Sequence, residues 1–138
     1  MENTSIMSHV SLGTNDYAKA KAFYTAVLAT IGAGIVMEHG DAAAFGKKFP
    51  EFWIQAPFDG KPAATANGVH FGFWANSKQE VHEFYDVALK HGATGEGEPG
   101  PREEYGDPYY GCFLRDLDGH KIEAAFWDME MEAGLNSQ

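Results

Sequence analysis

The stretch HVSLGTNDYAKAKAFYTAVL, His9 to Leu28, returns later in the chain as HFGFWANSKQEVHEFYDVAL, His70 to Leu89. In both copies an asparagine follows the histidine by six positions (Asn15, Asn76). A Phe-Tyr pair follows by 14 and 15 (Phe23-Tyr24, Phe84-Tyr85) and a leucine by 19 (Leu28, Leu89). The offset is constant at 61 (70 − 9, 84 − 23, 89 − 28). The chain is therefore an internal duplication, and a repeated supersecondary unit decides the architecture before any single element is assigned. A polar residue repeated in an apolar strand setting also points to two arms of one site.

Working outward from the first copy, Ile6 to Leu12 reads as a strand, with Val10 and Leu12 on one face and His9 and Ser11 on the other. Asn15-Asp16 offers a helix cap. Tyr17 to Ile31 reads as an amphipathic helix whose buried stripe is Ala20, Phe23, Tyr24, Val27, Leu28 and Ile31, closed by Gly32. Three strands follow, at Gly34 to Glu38, Ala42 to Gly46 and Phe52 to Ala56, separated by turn residues. Asp59 to Asn67 is the expected linker.

The second copy repeats the plan with a strand from Val69 to Trp74 and a helix capped by Ser77 that runs to about His91. Thr94 to Asp107, rich in Gly, Pro and Glu, reads as a long loop with one short strand at most. Tyr110 to Arg115 and Lys121 to Trp127 form a hairpin around Asp118-Gly119. The expectation is an α+β fold of two tandem βαβββ modules, residues 6–58 and 68–128, whose curved mixed sheets form a concave cavity. In the last strands, Lys-Ile-Glu-Ala (Lys121 to Ala124) aligns with Trp-Ile-Gln-Ala (Trp53 to Ala56), which makes Gln55 the counterpart of Glu123 at an offset of 68.

Composition narrows the class. The 138 residues are 44% hydrophobic and 14% aromatic, which suits a folded globule. Each half is marginal in size, so the halves are expected to share a core or to swap between chains. A formal charge of −10 repels phosphate backbones and argues against nucleic acid as a partner. No apolar run approaches the roughly 20 residues that span a bilayer, and the N-terminus lacks the basic flank and apolar run of a secretory signal. The single cysteine, Cys112, excludes an intrachain disulfide, fits the reducing cytoplasm, and reads as a small core residue.

Period-two alternation places the polar residues. Ile122, Ala124 and Phe126 share one face of the last strand, and Lys121, Glu123 and Ala125 share the other. Phe71 and Phe73 oppose His70 and Gly72. The apolar faces are expected to pack on the helices, which leaves His9, Gln55, His70 and Glu123 on the concave side. Two imidazoles and a carboxylate, with an optional amide, suit a divalent transition metal that keeps room for water or substrate.

The segments His9 to Asp16, Ala22 to Tyr24, Gly68 to Phe73 and, most clearly, Tyr109 to Ala124 resemble the vicinal oxygen chelate superfamily. This superfamily includes glyoxalase I, fosfomycin-resistance proteins, extradiol dioxygenases and bleomycin-resistance proteins. The similarity covers roughly Ile6 to Asp128. It implies metal ligands on the first strand of each module and on the last strand, here His9, His70 and Glu123. The ion would be Zn, Ni, Mn or Fe, with Glu123 also able to act as a base. Glyoxalase I adds a glutamate on the last strand of the first module, where this chain is expected to have Gln55.

Trp53, Gln55, Tyr109, Tyr110 and Arg102 are the expected substrate-binding residues. One of the two adjacent tyrosines should face the core and the other the cavity. Three functions compete: a metal-dependent lyase, isomerase or thiol transferase; a metal-free drug- or small-molecule-binding protein of the bleomycin-resistance type; and an extradiol-type dioxygenase, whose chains usually carry four modules. The resemblance also implies a small-molecule substrate and a homodimer.

Overall fold

The computed structural model describes residues 3–131. The chain divides between Ala64 and Thr65 into two units. The first contains β1 (Val10–Gly13), α1 (Tyr17–Ala29), β2 (Gly34–His39), β3 (Ala42–Gly46) and β4 (Phe52–Gln55). The second contains β5 (His70–Trp74), α2 (Lys78–Lys90), β6 (Thr94–Gly100), a short 3₁₀ turn at Glu103–Tyr105, β7 (Tyr109–Arg115) and β8 (Lys121–Trp127). Each unit is a four-stranded mixed sheet with one helix, in the order β1-β4-β3-β2 and β5-β8-β7-β6. The first strand pairs in parallel with the last, and the remaining pairs are antiparallel. This is the expected α+β architecture.

The helices begin and end for the same reasons in both units. The Asp16 carboxylate accepts the Lys19 amide at 3.1 Å, and the Ser77 hydroxyl accepts the Glu80 amide at 3.1 Å, which satisfies donors left open in the first turn. Past each helix a glycine takes a positive φ (Gly32, +80°; Gly92, +102°). The next amide then returns to the helix, from Ala33 to Leu28 and from Ala93 to Ala88, both at 3.0 Å. The helix expected to reach Ile31 ends at Ala29 instead, and Thr30 turns its hydroxyl back onto the Val27 carbonyl at 2.6 Å. In the second unit Glu80 also reaches back to the Asn76 amide at 2.9 Å. The matching Asn15 does different work, bonding both backbone groups of Ala63 (2.7 and 3.2 Å).

Helix and sheet join over apolar faces. In the first unit Phe23, Tyr24, Val27 and Leu28 are buried, and Tyr24 packs on Phe52 with ring centroids 4.9 Å apart. In the second, Val81, Phe84 and Ala88 are buried along with Cys112, Leu114, Ile122 and Ala124. Phe73 meets Phe84 at 5.9 Å.

Two strands also differ from expectation. The first strand starts at Val10, not Ile6, which is 97% exposed and gains nothing from pairing. The one short strand allowed in the stretch from Thr94 to Asp107 is a seven-residue strand, Thr94–Gly100, in which Gly95 and Gly97 leave room for neighbours. A side chain at Gly95 would overlap the Tyr85 phenol, and one at Gly97 would come within 2.9 Å of the Arg102 guanidinium. The hairpin turn is built on Asp116, whose carboxylate accepts the amides of Asp118 and His120, both at 2.9 Å, while Gly119 takes φ +90°.

Phe84 is fully buried at the centre of the second unit. Phe84→Ala should lower unfolding free energy by about 3–5 kcal/mol, measured by urea denaturation. The exposed Lys90→Ala should change it little.

Candidate functional site

The second unit gathers polar side chains on the sheet face turned away from α2. Glu123 lies mid-strand on β8, flanked by Gly72 on β5 and Phe113 on β7 in one cross-strand row. It is 8% exposed, so its carboxylate needs partners from the protein. Both oxygens have one. Oε1 lies 3.0 Å from Nε2 of His70, and Oε2 accepts the Tyr109 hydroxyl at 2.5 Å. His70 is half exposed, with 46% of its side-chain surface open, so this cluster runs from a buried phenol through a buried carboxylate to an accessible imidazole.

Small residues make the cluster possible. A Cβ at Gly72 would stand 3.4 Å from Oε1 of Glu123. A Cβ at Gly111 would overlap the Tyr109 phenol and come within 2.8 Å of the Ala124 carbonyl. Tyr109 therefore lies back along β7 over Gly111 to reach the row of Glu123. Its ring is fixed edge-on by Tyr105 and Trp127 at 4.9 and 5.0 Å. Burial, and then donation to Glu123, push its phenol well above the ordinary tyrosine value.

Phe113 forms the apolar neighbour of the dyad. The His70 ring meets it at 6.1 Å, and Arg102 and Lys121 each stand over it, at 5.7 and 5.0 Å from its centroid. Arg102 is anchored by the Pro101 and Glu98 carbonyls at 3.0 and 2.7 Å.

Of the expected site residues, Glu123, His70 and Tyr109 come together, and Arg102 borders them through Phe113. Tyr110 lies on the opposite face, bonded to His82 of α2 at 2.7 Å, which settles which adjacent tyrosine belongs with the carboxylate. The remainder lie in the first unit. His9 precedes β1, is exposed, and bonds Ser8 at 2.9 Å. Trp53 is half-buried, 5.9 Å from the His39 ring. Gln55 lines a shallow cavity of about 280 Å³ with Ser11, Gly13, Pro57, Asp59 and Pro62. Among the described residues, no three His, Cys, Asp or Glu side chains within either unit are gathered closely enough to hold a metal ion.

The strand register corrects the expected pairing of Gln55 with Glu123. Ser11 stands opposite Trp53 as Gly72 stands opposite Glu123. The flanking bonds agree: Thr14 donates to Gln55 and Ala75 to Ala125, both at 2.9 Å. The offset is 61 on the first strand (72 − 11) but 70 on the last (123 − 53). Trp53, and not Gln55, is the counterpart of Glu123. Sequence reasoning put Gly72 on the His70 face but gave it no part in the site, and it assigned none to Phe113 or Gly111. The signal for them was a run of glycines at strand positions, where packing residues are the norm.

The chain belongs to the Glyoxalase/Bleomycin resistance protein/Dioxygenase superfamily, whose pattern matches residues 6–124. A glyoxalase/bleomycin resistance protein from Albidiferax ferrireducens is 35% identical, with a TM-score of 0.80 over 88% of this chain and 98% of that one. More distant structures share the fold. A lactoylglutathione lyase from Agrobacterium tumefaciens is 22% identical (TM-score 0.60; 91% and 95% covered). The fosfomycin resistance protein FosX from Listeria monocytogenes is 19% identical (TM-score 0.62; 89% and 93% covered). No curated protein matches the chain. No helix among the described residues is long and apolar enough to cross a membrane.

Cys112 is fully buried against the Val81 carbonyl, and burial pushes its thiol up to about 12. A thiolate reagent should therefore leave the native protein unmodified at pH 8 and titrate one thiol after denaturation. Rapid native labelling would contradict the placement.

Proposed function

We propose that the protein is a metal-dependent enzyme of the lyase, isomerase or thiol-transferase type, acting on a small substrate with neighbouring oxygens. The observation that carries this reading is the His70–Glu123 pair, a ring nitrogen and a carboxylate oxygen 3.0 Å apart at the boundary between buried and accessible surface. Such a nitrogen-oxygen donor set fits a borderline divalent ion, Zn, Ni, Mn or Fe. His9 is the expected third donor. A bound cation would polarise substrate oxygens and stabilise developing negative charge.

The chain's own residues define what surrounds that chemistry. Glu123 presents Oε1 toward His70, where a proton can be taken from or returned to a substrate carbon. Tyr109 keeps the other oxygen occupied. Phe113, Tyr109 and Trp127 form an apolar wall, and Arg102 and Lys121 supply positive charge in an otherwise acidic protein. The same proposal includes a homodimer in the cytoplasm. Ile35, Val36 and Met37, all partly exposed on edge strand β2, offer apolar surface for a second copy.

A second reading, a metal-free small-molecule binder, is favoured by one observation. In the first unit an indole, Trp53, holds the register position that a carboxylate holds in the second, and Gln55, two residues on, borders a cavity of that unit.

Metal analysis of protein purified with each candidate ion separates the two. Stoichiometric metal in the wild type, lost in His70→Ala and in Glu123→Gln, is the expected result. Full retention in His70→Ala would overturn the ligand assignment, and no uptake by the wild type would favour the binder.

A further inference from the structure

We propose that Tyr109 is a positioning residue that divides the labour of the Glu123 carboxylate, tying down Oε2 so that Oε1 alone is presented beside His70. Where this concerns a metal, it rests on the function proposed above. Where it concerns the carboxylate itself, it stands on geometry alone.

Three observations converge. The 2.5 Å bond from the phenol is charge-assisted and buried, the setting in which such a bond holds orientation most firmly. The phenol can arrive only because residue 111 has no side chain, and the carboxylate can stand there only because residue 72 has none. The ring itself is held by Tyr105 and Trp127, so the hydroxyl has a fixed address. The neighbour Tyr110, on the opposite face with His82, cannot substitute for it.

A carboxylate with one oxygen committed is a one-oxygen ligand. Freed from Tyr109, Glu123 could rotate or offer both oxygens, changing how it holds an ion and how it faces a substrate proton. Outer partners of ligating carboxylates typically change metal affinity by about 10- to 100-fold when removed.

The test uses Tyr109→Phe, which deletes one oxygen and retains the ring contacts. In the metal-free protein, infrared difference spectra against Glu123→Gln isolate the Glu123 carboxylate stretches, in the wild-type and the Tyr109→Phe backgrounds. A displaced antisymmetric stretch in the variant is expected, and an unchanged one would overturn the proposal. Calorimetric titration with Zn then reads the metal arm. Tight wild-type binding weakened roughly 10-fold or more in Tyr109→Phe is the expected result, and equal affinity would overturn the positioning role. No wild-type binding together with a displaced stretch would leave the positioning role standing and sink the metal reading alone. If Tyr109→Phe does not fold, the wild type decides. A slowly exchanging downfield hydroxyl proton correlated with the Tyr109 ring supports the bond, and its absence overturns it.

Discussion

A carboxylate removed from water must find donors for both oxygens, and this requirement at Glu123 organises the second half of the molecule. The cost of leaving it unmet is several kcal/mol, on the order of what a whole small domain has in reserve. The parallel pairing of β5 with β8 brings Gly72 beside Glu123 and puts His70 within reach of it. The antiparallel pairing of β7 with β8 supplies Tyr109 from the other side. The partners come from strands on both flanks, so the bonds that satisfy the acid also tie three strands at one level. The helix side of the same sheet is largely apolar, with Cys112, Leu114, Ile122 and Ala124 buried against α2. Its burial provides the stability that lets the other face carry charge.

Much of this was legible in the sequence because the relevant signals are periodic. The repeat at 61 located both helices, and they occupy Tyr17–Ala29 and Lys78–Lys90 at that same spacing. Alternation put Ile122 and Ala124 inward and Glu123 on the other face. The β8 strand runs from Lys121 to Trp127, as its pattern indicated. Capping chemistry identified Asp16 and Ser77.

What escaped has physical reasons. The alignment of Glu123 with Gln55 was wrong by two residues. A slip of two returns every side chain to the same face, so alternation cannot detect it, and only the ladder bonds can. The strand at residues 94–100 was legible only as a short strand within a long loop, because its sequence, TGEGEPG, has no large apolar residue. Its contribution is space, and space leaves no hydrophobic pattern. The choice between Tyr109 and Tyr110 needed the strand's phase relative to α2, which the His82 contact supplies. His9 lies outside the strand assigned to it, since the ladder begins one residue later.

The connection between the second and third strands of each unit carries a wider meaning. In the first unit two residues, Gly40 and Asp41, suffice to join β2 to β3. In the second, the path from β6 to β7 runs through Pro101 to Pro108 and includes Arg102 and Tyr105. Those two side chains cover Phe113 and Tyr109. The halves of this once-symmetric chain have thus acquired separate characters in part by lengthening a single hairpin connection, with the strand order kept in both. New chemistry in such a scaffold can be sought in its connecting loops, where an inserted roof converts a plain pleat into a sheltered recess without disturbing the ladders beneath.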